Sequence, residues 1–600
     1  MKTDALVLYR SRPARIVGLG DKFEIVLPDG ARKRVRDKDL MLLHPGPCLS
    51  LSALACDGDF NEAWLLLEGE SATLAELAEY ACGEFTPASA WTAWQCLQSG
   101  ELFEGDARAI RPRTVEAVEA TRRDRAQRAA RQQAWAAFVD RLRRCALQPG
   151  DAQRLAELEQ LAFGVTRTSR ILSALGQPET PQSAHRWLLK LGHWDEAVNP
   201  QARRRAVPLS DPQGAVPMLD EQTPRLDLTA LTSYAIDDED STDPDDAIAI
   251  DGERIWVHVA DVSALVQPDD ALDVEARQRG GNLYLPEGTI HMLPPAVTER
   301  LALGLTGTSP ALSFGMIVTD DGELADVRVA LTRVRVERMS YAQADGCLDA
   351  APFAAMKARL ERFRERRRAR GWVPLQLPEV SVRIRHGDIV IKPLPALDAR
   401  QLVADAMLLA GMAAAEYAQA HQLAVAFSTQ APPEQPAQPG TLSEMFAYRR
   451  QLQRSQLKTV AAPHCGLGLP YYSQVTSPLR RYLDLVCHQQ IRAHLSGERG
   501  IPGADLLTRV GATEAVIDTL RKAERESNLH WKLAWLQRHP DWQGEAVVLA
   551  QRGRKAICLL PELALEVGIA ALSSKPLDTA ARVALAGVDL PELTARFRLA

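Results

Sequence analysis

Residues 235–250 read AIDDEDSTDPDDAIAI, and seven of the ten residues from Asp237 to Asp246 are acids. Apolar runs, SYAI and AIAI, bracket the cluster, so the loop emerges from what the pattern predicts to be buried strands. Pro244 lies between Asp243 and Asp245 and restrains the backbone there. No Lys or Arg falls between residues 226 and 253. Carboxylates that converge without a cation raise one another's pKa and destabilise the fold. A bound metal ion removes that penalty. Oxygen donors with no His or Cys nearby favour a hard cation, Mg²⁺ or Mn²⁺. An EF-hand needs Gly at loop position six and Glu at twelve, and no frame through this loop supplies both. Catalytic metal, structural metal and a solvated acidic turn all remain compatible with the spacing.

The surrounding chain is long and of ordinary composition. Its 600 residues are 46% hydrophobic and 25% charged, which predicts a soluble protein of about three to five domains. No apolar run reaches the ~18 residues of a membrane span, and MKTDALVLYR lacks the apolar core of a signal peptide. Nine scattered cysteines without a Cys-x-x-Cys pair read as reduced thiols, hence a cytoplasmic protein. The net charge is −6, yet residues 361–370, ERFRERRRAR, hold six Arg against two Glu, and residues 122–144 are also Arg-rich. Either run is a solvated helix face or a contact for nucleic-acid phosphates, which requires only local positive charge.

Punctuation divides the chain into five parts. Residues 1–60 show short β-like runs and a Pro28-Asp29-Gly30 turn, a small β-barrel or sheet. Residues 61–210 are helical, with a Thr73/Glu76 capping box and helices opened by Thr86-Pro87 and Thr180-Pro181. Such short capped helices resemble winged-helix or helix-turn-helix units. A linker is expected at 211–226, a mixed α/β region at 227–540, and short strands suited to a small closed barrel at 541–600. The fold class is multidomain α+β. A helix from about 514 to 537 carries Ile517, Leu520, Glu524, Trp531 and Trp535 on one face. A carboxylate within an apolar stripe needs a partner or a role. His258, His464 and His488 form no metal-spaced set and read as core or supporting residues. Ser477-Pro478 is a plausible helix start that places Arg480 in a first turn, beside free N–H groups. No P-loop, G-x-S-x-G or H-E-x-x-H motif occurs.

The acids at 237, 243, 245 and 246, followed by Ala247, resemble the signature of the RNase II (RNB) family of exoribonucleases. VHVADVSALV (257–266), NLYLPEGTIHMLP (282–294), MSYAQA (339–344), RGWVPLQLPE (370–379), ARQLVADAMLLA (399–410), HCGLGLPYYSQVTSPLRRYLDL (464–485) and AERE (523–526) follow in that family's order. The resemblance implies an RNB catalytic domain at 227–540 with a C-terminal OB-fold RNA-binding barrel. It implies Asp237, Asp243, Asp245 and Asp246 as ligands of Mg²⁺ in a two-metal site, with Mn²⁺ able to substitute. It further implies Arg480 on the scissile phosphate and Tyr284 stacked on the 3′-terminal base. Glu524 would help position the departing nucleotide. Asp238, Glu239 and Asp240 do not match and read as background loop acids.

The family's activity would be processive 3′-to-5′ hydrolysis of single-stranded RNA to nucleoside 5′-monophosphates, by a monomer with no obligate protein partner and no membrane. The rival is a catalytically silent RNA-binding or regulatory protein on the same fold. The chain departs from the family's usual pattern in three ways. Helical units stand where tandem cold-shock barrels usually precede the catalytic domain. Ser428 and Gln489 stand where arginines are usual. Between 543 and 600 Phe597 is the sole aromatic, so base stacking there should be weak.

Overall fold

The computed structural model describes residues 1–239 and 241–600, so Asp240 lies outside the described residues. Residues 1–144 and 145–600 form two compact units. In the first, five antiparallel strands between Leu6 and His44 form a sheet. Its ladders leave it open, not closed into the small barrel expected, because the edge strands Arg32–Val35 and Met41–His44 do not pair. Helices Phe60–Leu66, Leu74–Cys82 and Pro87–Ser99 follow. Thr73 and Glu76 form their capping box, and Gly100 closes the third helix at φ 60°. The hairpin Phe103–Asp106/Ala109–Pro112 interrupts the helical run. Cys56 and Cys82 form a disulfide, which corrects the expectation of nine reduced thiols. The fold brings together two cysteines 26 residues apart, a pairing no short motif announces. Along the helix Val115–Arg143, Arg122 and Arg125 pair with Glu101, and Arg128 with Asp124.

In the second unit, helices Ala152–Ala162, Arg170–Leu175 and Pro181–Lys190 come first, the last capped by Thr180 as expected. The segment expected as a linker has no regular structure but is tied down. Asp211 Oδ1 accepts the His291 N–H at 2.8 Å, and Arg225 pairs with buried Asp261 at 2.6 Å.

The strands Leu226–Asp237, Asp246–Asp251, Arg254–Ala260, Ser309–Val318 and Leu324–Ser340 close into a barrel. Its seam is the one parallel pairing among the barrel ladders, Leu324–Ser340 beside Leu226–Asp237. Every residue of the Arg254–Ala260 strand is buried, because side chains of one face fill the barrel and those of the other meet packed helices. Helix Asp398–Ala420 lies in the same core as the barrel strands and contributes a long run of alanines for close packing.

Helix Gly503–Arg538 starts about three turns earlier than expected, because Leu506, Arg509, Val510 and Thr513 continue its buried face. The C-terminal strands form a five-stranded sheet whose edge strands, Leu565–Ile569 and Thr594–Leu599, approach each other in an OB-like curl. Phe597 packs edge-on against Trp542 at 5.8 Å and is half-buried against that sheet's core, which leaves it a poor stacking platform.

The 361–370 run is partly exposed and partly buried, and five of its six arginines are in ion pairs. Arg362 pairs with Asp320, Arg366 and Arg370 with Glu323, and Arg364 and Arg367 with Asp405. Asp405 and Arg367 are almost completely buried. Removing one partner of a buried ion pair leaves an uncompensated charge. Asp405→Ala is therefore expected to lower unfolding stability by about 3–5 kcal/mol, read as a shift in the denaturant midpoint. Arg362→Gln, at an exposed pair, should change it by less than about 1 kcal/mol.

Candidate active site

The acidic loop joins the adjacent strands Leu226–Asp237 and Asp246–Asp251, so Asp237 ends one strand and Asp246 begins the next on one rim of the barrel. Main-chain bonds hold the loop: Asp245 C=O accepts the Ala260 N–H at 2.8 Å, and Pro244 C=O accepts that of Leu303 at 2.9 Å. The side chains divide by surroundings. Asp245 is 3% exposed. Its Oδ2 accepts Arg480 Nε–H at 3.1 Å and its Oδ1 accepts the Leu479 N–H at 2.8 Å. Asp237 accepts from Ser241 Oγ. Asp237 and Asp246 line a cavity of about 200 Å³ together with Tyr341, Arg400, Met407 and Arg480.

Burial pushes the Asp245 carboxyl up to about 8, against the pull of Arg480, and that of Asp246 up to about 7. Asp243 is also raised by burial. In all three, burial disfavours the charged carboxylate more than the neighbouring guanidinium favours it.

Arg480 does not fall in a helix's first turn. Residues 478–480 form an isolated turn, and the helix Tyr482–Leu495 begins after Arg481, whose backbone is extended (φ −136°, ψ 120°). Arg481 stands at the N-cap of that helix, so Ser477 does not cap it as expected, and the Ser477 N–H donates to Asp484 Oδ2 at 2.9 Å. The loop acid, and not a row of free N–H groups, therefore positions the guanidinium. The same turn is stitched to the Tyr284 hairpin: Asn282 N–H donates to Arg480 C=O at 3.0 Å, and Tyr482 N–H to Gly280 C=O at 3.1 Å. Gly280 sits at φ +73°, and a Cβ on Gly281 would meet the Arg480 carbonyl oxygen at 3.0 Å, so glycines permit this approach.

Tyr284 is half-buried. Its phenol is pushed up to about 12, by burial first, opposed by Arg480 and reinforced by Asp243 and Asp245. Its backbone N–H donates to Glu524 Oε1 at 2.8 Å, which is the partner the apolar stripe demanded. Leu283 and Leu285 pack with Leu520 and Ala523, so the hairpin and the long helix form one surface. The structure thus gathers Asp237, Asp243, Asp245, Asp246, Arg480 and Tyr284 and places Glu524 behind Tyr284. His258 and His488 are buried and bonded to Ser313 and the Val475 carbonyl. Gln489 bonds Asp273, and Ser428 bonds Ser455.

Sequence reasoning passed over Tyr341 and Arg400. The available signal was the 400/403/404/407 spacing, one helix face, all four of which line the cavity. Among the described residues no three His, Cys, Asp or Glu side chains close around a point that could hold a metal ion. The protein alone therefore does not complete the four-aspartate cage. The donors do fit a hard cation that takes one or two carboxylates and fills its shell with water and phosphate oxygens.

Comparison with known proteins places this arrangement. The RNB domain model matches residues 225–497, the double HTH domain 118–200, and the RNase II-type exonuclease C-terminal S1 domain 542–600. An uncharacterized ribonuclease of Synechocystis is 33% identical over 84% of this chain and 83% of its own length. The chloroplastic/mitochondrial ribonuclease II of Arabidopsis thaliana is 26% identical over 79% and 67%. In fold, the chain is similar throughout to an active-site mutant of the Dss1 exoribonuclease of Candida glabrata (TM-score 0.67, 16% identity, 100% and 98% covered). Yeast Ssd1, a pseudonuclease, shares the fold over 62% of this chain and 55% of its own (TM-score 0.51, 15% identity). The barrel, its acidic rim and the S1 sheet define an exoribonuclease, a hydrolase. The chain belongs to the RNase II (RNB) family.

Two outcomes follow from the geometry. Glu524→Gln keeps an acceptor for the Tyr284 N–H and should change stability little. Glu524→Leu orphans that N–H and should cost about 1–3 kcal/mol in chemical denaturation. Acids with raised folded pKa bind protons more tightly in the folded state, so stability falls as pH rises from their unfolded range to the folded value. In EDTA the Tm should therefore fall between pH 5 and 8, and Asp246→Asn should flatten that fall.

Proposed function

We propose that this protein degrades single-stranded RNA from its 3′ end, processively, by Mg²⁺-dependent hydrolysis to nucleoside 5′-monophosphates. The observation that carries this reading is the meeting of Asp237, Asp246 and Arg480 on one cavity, with Asp245 bonded to the same guanidinium. Asp237, Asp243, Asp245 and Asp246 would hold Mg²⁺, or Mn²⁺ in its place. When bound, such ions activate water and neutralise charge on the reacting phosphate.

The chain's own residues do the rest. Arg480, aimed by Asp245, keeps N–H donors for the scissile phosphate, and its planar fork matches phosphate oxygens. Tyr284 offers a ring to the 3′-terminal base, and stacking accepts any base. Glu524 holds the backbone of Tyr284, so the ring's position follows the long helix. Phe597 is occupied by Trp542, so the S1 sheet would bind RNA by charge more than by stacking. No helix among the described residues is long and apolar enough to cross a membrane. We place the protein in the cytoplasm, as a monomer with no obligate partner.

The test is a time course on 5′-end-labelled single-stranded RNA, in Mg²⁺ and in EDTA, with Asp245→Asn and Arg480→Ala alongside. Full-length RNA should shorten to a small 5′ remnant only in Mg²⁺. Each variant should be slower by at least about 10²–10³-fold. Intact RNA throughout, with binding retained, would mean a silent RNA-binding protein.

A further inference from the structure

Most arginines of the catalytic region are consumed by structure. Asp261 takes Arg225 and Arg492, Asp273 takes Arg277 and Arg509, and Asp405 takes Arg364 and Arg367; all three acids are fully buried. Arg400 is different. It stands on the helix Asp398–Ala420 and lines the cavity that Asp237, Asp246 and Arg480 also line. Its guanidinium lies over the Tyr341 ring, 4.2 Å from the centroid. Its Nη2 donates to Asp238, which is 60% exposed and belongs to the unmatched acids of the loop.

That pairing is a weak reason to keep an arginine here. Ion pairs between accessible side chains contribute little and are screened by salt. The remaining donors are poorly used. Nε is shielded from solvent without a hydrogen-bond partner, and no bond of Nη1 is found among the described residues. A charged group that is stacked, only partly paired and set in a cavity wall is short of an acceptor. The cavity already carries two carboxylates for a cation and one arginine for an anion. A second arginine on it suits a ligand with more than one negative group, which describes a nucleic-acid backbone.

We propose that Arg400 is a second phosphate-binding arginine of this site, taking a backbone phosphate of the bound RNA next to the one held by Arg480. The Tyr341 ring keeps its guanidinium plane in place, and the weak bond to Asp238 holds it until RNA arrives. The inference rests on the exoribonuclease reading, and the two can fail separately.

The experiment measures affinity for 5′-fluorescein-labelled single-stranded RNA against KCl concentration, in EDTA so that no cleavage intervenes. It compares the unmodified protein with Arg400→Gln, Arg400→Lys, Asp238→Asn and, as a surface control, Arg362→Gln. Losing one phosphate contact should flatten the slope of log affinity against log salt by about 0.7. Arg400→Gln should show that change with roughly tenfold weaker binding at low salt, while Arg400→Lys regains the slope without the full affinity. Asp238→Asn and Arg362→Gln should leave the slope unchanged. In steady state, Arg400→Gln should raise KM more than it lowers kcat.

An unchanged slope in Arg400→Gln overturns the proposal. So does an Asp238→Asn protein that reproduces the loss, since Arg400 would then act only by pinning the loop. Failure of the unmodified protein to shorten RNA in Mg²⁺ sinks the exoribonuclease reading, whatever the slopes show.

Discussion

Asp245 and Arg480 are 235 residues apart in the chain and in contact in the fold. A carboxylate that is 3% exposed must be protonated or paired. One arginine and one backbone N–H do the pairing. The consequences spread through the main chain. The Asp245 and Pro244 carbonyls anchor the loop to the barrel, and the Arg480 carbonyl anchors the Tyr284 hairpin. Glu524 fixes that hairpin from the far side. Barrel rim, turn, hairpin and long helix therefore share one constraint, and displacing any of them disturbs the same cavity.

Charge in this protein serves two purposes that composition cannot separate. The densest Arg run, 361–370, is tied into ion pairs with Asp320, Glu323 and Asp405. An isolated residue, Arg400, has donors to spare on the cavity beside those of Arg480. Likewise the acids are not equivalent. Asp405, Asp273 and Asp261 are buried and matched by arginines, whereas Asp237 and Asp246 line the cavity, where burial raises the Asp246 carboxyl. A buried acid with two arginines is architecture, and an acid on a cavity without its own cation is available for chemistry.

Some of this was legible beforehand. The strands bracketing the acid loop, the Thr73 and Thr180 caps and the glycine stops depend on contacts within a few residues, and the fold reproduces them. Arg480 was picked out for the right neighbourhood but the wrong support. Ser477-Pro478 has the composition of a helix start, yet residues 478–480 form only a turn and the helix begins at Tyr482. The early start of the helix Gly503–Arg538 was hidden because its buried face there includes Arg509 and Thr513, polar residues with buried partners. The Cys56–Cys82 bond left no local pattern that pointed to it, and the cavity face left only the spacing of Arg400, Val403, Ala404 and Met407 along one helix.

By itself, then, the sequence determined where strands must enter and leave an acidic loop, which helices are capped, and which ordered motifs make this an RNase II-type chain. The first two follow from spacing, burial pattern and backbone preference, all short-range, and the third from resemblance to a known family. Only the tertiary structure decided that the strands close through a parallel seam, that Asp245 directs Arg480, and that Arg400 shares their cavity. These depend on which distant groups are desolvated together. A charge in a low-dielectric interior takes the partner that packing brings to it, and sequence distance has no part in that choice.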